Sequence, residues 1–265
     1  MKRFISFSGG VESTTMCILY GKGATAIFCD TGAEHQEMYE RLRYVEDMLK
    51  VYHNGDFELL IIKPKPRKCK GKIVNNLQEH IEAQMYMPSQ RERWCTGKWK
   101  IQPIDAFLKQ QGQCELLIGL NADEEPGEDR TGNFMKCKNV TYSYPLYKDG
   151  HDRNDCETLL NSMGLHPNLP IYMRRGGCKW CPFKSIKEYK ALYYFDKKTF
   201  YEGKHLEIKI QDKRKKFFAI SMSGKSFQEI ENECLNEINV WGEDSIKKMY
   251  SNIQNTQSCG AFCHR

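Results

Sequence analysis

The sequence predicts an α/β fold, a doubly wound and mostly parallel sheet followed by a helical C-terminal appendage. Three observations carry this expectation. Short apolar runs at 4–7, 24–29, 57–62 and 114–120 have the length of buried strands, and longer amphipathic stretches separate them. The first run stops at Gly9-Gly10 and restarts as a helix with hydroxyls in its first turn. The second and fourth runs lead into acidic residues, at the carboxyl ends of strands where open parallel sheets place their ligands.

A chain of 265 residues can bury its own core as one large domain, or as one domain with an appendage. With 40% hydrophobic and 28% charged residues it reads as a soluble globular protein, and no stretch approaches the roughly 20 apolar residues of a membrane span. No signal-peptide pattern opens the chain, so the cytoplasm is the expected location and a membrane is not an expected partner. Twelve cysteines in a reducing compartment point to metal binding or redox chemistry rather than disulfides. The formal charge of +6 is mild but uneven. Lys63, Lys65, Arg67, Lys68, Lys70 and Lys72 form one basic run and 209–216 another, each a solvated surface or a contact for nucleic-acid phosphates.

In chain order, Ser8-Gly9-Gly10-Val11-Glu12-Ser13-Thr14-Thr15 reads as a phosphate-cradling turn, with a helix entered through 13–15 and ending near Gly21-Lys22-Gly23. Glycines let the backbone approach a ligand, and a helix N-terminus offers amides and partial positive charge. The Walker A pattern is excluded, since Gly224-Lys225-Ser226 has Ala219 where the first glycine belongs, and no Gly-x-Gly-x-x-Gly occurs at the turn. After the strand at 24–29, Asp30 or Thr31 has two readings: a ligand for ribose or Mg²⁺, or the cap of a helix holding Met38 to Leu49. The strand at 57–62 precedes the basic, proline-containing run, read as a mobile loop, and 73–87 has helical spacing.

Arg93, Lys98 and Lys100 surround Cys95 with cations that suit a phosphate or sulfate and favour a thiolate. The strand at 114–120 leads to Asn121, Asp123 and Glu124, with Arg130 beyond. Cys178-Lys179-Trp180-Cys181, between glycines and a proline, has the spacing of a zinc or iron–sulfur knuckle, and supplies half of the four thiolates needed. The stretch 217–238 is expected to be helical through Phe227, Ile230, Leu235 and Ile238, packing on the sheet or forming a dimer face.

The turn Ser8-Gly9-Gly10-x-x-Ser13, with Glu12 at the usual acid, resembles the pyrophosphate loop of the adenine-nucleotide alpha hydrolases, Rossmann-like proteins that include the N-type ATP pyrophosphatases and the phosphoadenosine-phosphosulfate (PAPS) reductases. Asp30-Thr31-Gly32-Ala33-Glu34, Arg93-Trp94-Cys95-Thr96, Lys100-Ile101-Gln102-Pro103, Asp123-Glu124 with Arg130, and Tyr144-Pro145-Leu146 followed by Asp152, Asp155 and Cys156 are similar, in this order, to the PAPS-reductase branch. The likeness covers 1–195, expected as a nucleotide-binding domain with a cysteine knuckle, and leaves 196–265 as a helical C-terminal region.

The resemblance implies an enzyme that binds ATP or a PAPS-like adenine nucleotide with Mg²⁺ and activates an oxygen by adenylylation, so that sulfur or nitrogen replaces it. It assigns the nucleotide to Ser8, Gly9, Gly10, Glu12, Ser13, Thr14, Asp30, Thr31, Gly32 and Glu34, and catalysis to Cys95, Arg93, Lys100, Asp123 and Arg130. A [4Fe–4S] cluster or Zn²⁺ would be held by Cys95, Cys156, Cys178 and Cys181, with Cys259 or Cys263, beside His264, as competing ligands. Implied partners are a nucleic-acid substrate, a cysteine desulfurase or thioredoxin-like donor, and a second copy of the chain. The alternatives are PAPS or adenylylsulfate reduction, and a non-catalytic nucleotide- or nucleic-acid-binding protein with a structural metal. Three departures matter: Thr96 follows Cys95 where cluster-bearing members have a second cysteine, Asn121 replaces an arginine, and the tail lacks the intact Glu-Cys-Gly-Leu-His of the reductases.

Overall fold

The computed structural model describes residues 1–89, 91–124, 137–174, 176–221 and 223–252. They form two compact units, Met1–Lys65 with Cys95–Asn168, and Pro66–Trp94 with the described residues of 169–252. The junction expected at 195–196 falls within the second unit, between two of its helices.

The first unit is built on a five-stranded sheet, β1 (Lys2–Ser6), β2 (Ala24–Cys29), β3 (Glu58–Ile62), β6 (Cys114–Leu117) and β7 (Val140–Ser143), in the order β3-β2-β1-β6-β7 with every pairing parallel. Ile5 of β1 stands opposite Ala26 of β2 and Leu117 of β6, so these side chains share one face. The other face carries Phe4, Ile27 and Leu116, which pack with Leu108, Ile118 and Leu120, while Phe107 meets Phe4 edge-on at 5.5 Å. Burial on both faces explains why the strands read as continuous apolar runs. Helices α1 (Val11–Tyr20) and α2 (Gln36–Tyr52) connect β1 to β2 and β2 to β3, and α5 (Gln102–Leu108) covers the Phe4 face. The strand order reverses between β1 and β6, the position at whose carboxyl ends open α/β sheets carry their ligands.

Several sequence expectations are corrected. Strand β6 stops at Leu117, and 118–120 continues as a loop in which Ile118 N–H bonds the Ser143 carbonyl at 2.9 Å. β7 was not anticipated: its Val-Thr-Tyr-Ser buries only Val140, so it has no apolar run. Helix α1 begins at Val11 rather than 13–15, with Gly10 as its N-cap. Helix α2 is capped by His35, not by Asp30 or Thr31.

In the second unit the expected mobile basic loop is instead a hairpin, β4 (Arg67–Cys69) with β5 (Lys72–Val74). Lys70 and Gly71 form its turn with φ of 45° and 82°, the doubly positive geometry that suits a two-residue hairpin. The helix expected over 73–87 is the shorter α3 (Leu77–Gln84), opened by Asn76, whose side chain accepts from the Glu79 N–H. A short helical turn, α4 (Trp94–Thr96), begins at the last residue of the Pro66–Trp94 segment and continues into the first unit's chain. Helices α8 (Ile186–Phe195), α9 (Lys197–Arg214), α10 (Phe227–Trp241) and α11 (Glu243–Ser251) complete the unit. Helix α10 starts at a Ser226/Glu229 capping box, ten residues after the expected start at 217. Phe227, Ile230 and Cys234 form its buried stripe, whereas Leu235 is exposed. Gly203 of α9 admits two rings: a Cβ there would stand 2.7 Å from Phe227 Cζ and 2.8 Å from Trp180.

Candidate functional site

Three strand ends of the first unit bear the candidate residues. After β1, Gly9 takes φ +78°, the left-handed region that glycine enters at low cost, and a Cβ on it would lie 2.9 Å from Met38 Sδ of α2. Gly10 then caps α1 with no side-chain hydrogen bond, so the N-cap itself adds no side chain at the positive end of the helix. The hydroxyls hold the turn together. Ser13 Oγ accepts the Ser8 N–H at 3.2 Å and lies 3.1 Å from Ser8 Oγ, while Thr14 Oγ1 donates to the Gly10 carbonyl at 2.7 Å. Ser13 and Thr14 are buried, so the surface offered to a ligand is largely backbone.

After β2, Asp30 Oδ1 accepts from Gly32 N–H at 2.8 Å and from Tyr39 O–H at 2.7 Å. Thr31 donates to Glu34 at 3.0 Å, and both are buried. The carboxylate of Asp30 remains half-buried at the strand end, and that of Glu34 braces the turn.

After β6, Gly119 lets the chain pass close to α1, since a Cβ on it would stand 3.2 Å from Glu12 Cβ. Asn121 Nδ2 donates to Glu12 Oε1 at 3.3 Å, and Asn121 Oδ1 accepts the Asp123 N–H at 3.0 Å. Two helices follow β7, α6 (Pro145–Lys148) and α7 (Arg153–Ser162). Asp123 accepts the Arg153 N–H at 3.0 Å, and the Arg153 guanidinium pairs with Glu12 and, at 2.7 Å, with Glu157. Desolvation opposes the charge on Arg153, but Glu12 and Glu157 together outweigh it and its proton is held more tightly than usual. Glu12 and Asp123 therefore join α1, the β6 loop and α7. Sequence reasoning passed over Arg153, although a cation in the first turn of a helix opposes the dipole and so signals a partner elsewhere.

Cys95 is half-exposed, with Sγ 4.0 Å from Thr96 Oγ1. Beyond it the helix widens into a π turn, Gly97–Ile101, a distortion that recurs at functional sites. Trp99 is fully buried there and its carbonyl accepts from Cys29 Sγ at 3.1 Å, which fastens the turn carrying Lys98 and Lys100 to the end of β2. Arg93, in the second unit, stacks over the Phe183 ring at 4.9 Å. Arg130, Cys259, Cys263 and His264 lie outside the described residues.

Among the described residues no group of three or more His, Cys, Asp or Glu is placed to hold a metal ion. Cys95 and Cys156 belong to one unit, Cys178 and Cys181 to the other. Cys156 is fully buried on α7, and burial pushes its thiol up to about 11. Cys178 and Cys181 are partly exposed, and the Cys181 carbonyl accepts from Lys184 N–H and Tyr189 O–H, both at 3.0 Å. Among the described residues no helix is long and apolar enough to cross a membrane.

The glycine turn ahead of α1 stands at the reversal point of a parallel sheet, the place where open α/β proteins carry their ligands, and this defines the chain as a doubly wound α/β protein. The model of the phosphoadenosine phosphosulfate reductase domain family matches residues 2–192, and the chain belongs to that family. An uncharacterised protein of Methanocaldococcus jannaschii is 30% identical over 117 residues, which is 43% of this chain and 24% of that relative's length. A solved structure of PAPS reductase from Candida auris, in a phosphate complex, is similar with 14% identity and a TM-score of 0.43, over 62% of this chain and 73% of that one.

Proposed function

We propose that the protein binds ATP through its phosphate tail and transfers the adenylyl group to an acceptor oxygen, preparing it for replacement by sulfur or nitrogen. The observation that carries this reading is the bare N-terminus of α1 behind Gly9-Gly10. Its amides and dipole favour a pyrophosphate, and departure of that group as the acceptor attacks the α-phosphorus is the step such a site stabilises. Lys98 and Lys100, on the π turn at the end of β2, are suited to neutralise charge developing on the α-phosphate, and Asp30 to meet the ribose or a phosphate-bound Mg²⁺. The described residues offer Mg²⁺ no cage of their own, so most of its ligands would be phosphate and water. Asn121 favours ATP over PAPS: both ends of its amide are engaged, by Glu12 and by Asp123 N–H, and it supplies no cation for a sulfate.

Titration with ATP and with PAPS, followed by assays of AMP and pyrophosphate, tests the reading. ATP is expected to bind more tightly than PAPS and to yield both products once an acceptor is supplied. Sulfite released from PAPS and a thiol donor, with no ATP consumed, would establish reduction instead. Cys178 and Cys181 supply two sulfur donors at most among the described residues, and metal analysis after anaerobic purification tests whether zinc or iron accompanies them.

A further inference from the structure

The turn that follows β1 rests on a buried cation. Arg41 sits on the stripe of α2 that also buries Met38, Leu42, Val45 and Leu49, and only 7% of it is exposed. Its Nη2 donates to the Leu165 carbonyl at 2.5 Å and to Thr14 Oγ1 at 3.3 Å. Its Cγ lies 3.9 Å from where a Cβ on Gly9 would stand, so the side chain runs directly beneath the glycine turn. Nε has no hydrogen-bond partner, and among the described residues no carboxylate pairs with the guanidinium. Burial pulls its proton affinity down to about 10, which leaves it charged at neutral pH. A buried charge without a counter-ion is among the least favourable features a folded protein can carry.

We propose that Arg41 is a positioning residue whose counter-ion is the phosphate tail of the nucleotide, held on the opposite side of the Gly9-Gly10 turn. This rests on the phosphate-binding reading of that turn. The guanidinium acts through Thr14, whose hydroxyl bridges it to the Gly10 carbonyl, and through its field on the first turn of α1. The free protein thus holds excess positive charge under the loop, and a multiply charged anion neutralises it.

The test compares Arg41→Gln, Arg41→Met and Arg41→Lys with the wild type, melting each protein without ligand and titrating it with ATP, AMP and inorganic pyrophosphate. Without ligand, the Gln and Met variants are expected to melt no lower than the wild type, because removal of an unpaired buried charge offsets two lost hydrogen bonds. Their affinity for ATP and pyrophosphate should fall about tenfold to a hundredfold, that for AMP by less than about fivefold, and Lys should recover most of the loss. A structural arginine behaves differently: variants that fail to fold, or melt well below the wild type without ligand, overturn the proposal, as does unchanged ATP affinity. If the wild type itself binds neither ATP nor pyrophosphate, the phosphate-binding reading falls and this inference falls with it.

Discussion

Replacing Gly10 with aspartate should make the free protein more stable and nearly abolish its binding of nucleotide. Gly10 caps α1 with φ −81° and ψ −178°, extended backbone open to any residue, and a Cβ there would meet Ser8 Oγ at 3.4 Å, an ordinary contact. An aspartate at this position accepts from amides in the first helical turn. Relative to glycine that is worth a few tenths of a kcal/mol, and the negative charge at the positive end of the dipole adds about 0.3–1 kcal/mol. At about 2–4 °C per kcal/mol for a chain of this size, the melting temperature should rise by about 1–5 °C. The same carboxylate would stand where the phosphate is expected. Two like charges about 4 Å apart at an effective dielectric of about 20 repel by about 4 kcal/mol, or roughly a thousandfold in affinity. Gly10→Ser supplies a neutral cap at the same place and should lose about tenfold at most. Calorimetric melts and isothermal titration with ATP and PAPS measure both effects. An aspartate variant that binds ATP like the wild type would show that the anion does not sit at this helix end, and the functional reading would go with it.

Other perturbations probe the rest of the molecule. Glu12→Gln leaves Arg153 without its best partner at a largely buried position, with an expected loss of about 1–2 kcal/mol in urea unfolding. Adding Arg153→Met should recover part of that loss, and simple additivity of the two would refute the coupling. Gly203→Ala drives a methyl group into Phe227 and Trp180 and should cost about 1–3 kcal/mol; an unchanged urea midpoint would mean that those rings move freely. Burial pushes the thiols of Cys156 and Cys234 up to about 11 and about 12 from an ordinary 9.0. A group whose folded value is raised stabilises fully below its unfolded value, so their contribution should hold below pH 9 and fade as the pH rises through 11. Iodoacetamide at pH 8 should therefore label Cys95, Cys178 and Cys181 in the native protein well before Cys156 or Cys234. Equal labelling of Cys156 and Cys95 by peptide mapping would contradict the burial.

The legible parts of the molecule were those whose signal is local. β2 was bounded correctly because six apolar or small residues end abruptly at Asp30, and the Ser8–Ser13 turn because paired glycines interrupt an apolar run. The basic run misled because charge was read as solvation, whereas Lys70-Gly71 is a hairpin turn whose flanking strands are only three residues each. The edge strand β7 was invisible because it buries a single residue. Cys156 was grouped with Cys95, Cys178 and Cys181 on the strength of resemblance, and its full burial on α7 is a tertiary property that no local signal announces.

By itself the sequence determined the alternation of strand and helix, the glycine turn ahead of α1 and the order of the motifs, because each depends on neighbours within one turn or one strand. Tertiary structure decided which charges meet. Glu12 and Arg153 lie 141 positions apart, and Arg41 reaches carbonyl and hydroxyl partners on two other segments. Such pairings follow from how the chain crosses over the sheet and returns. Periodicity marks the face a side chain occupies, whereas the electrostatic partner it finds there depends on packing between elements far apart in sequence.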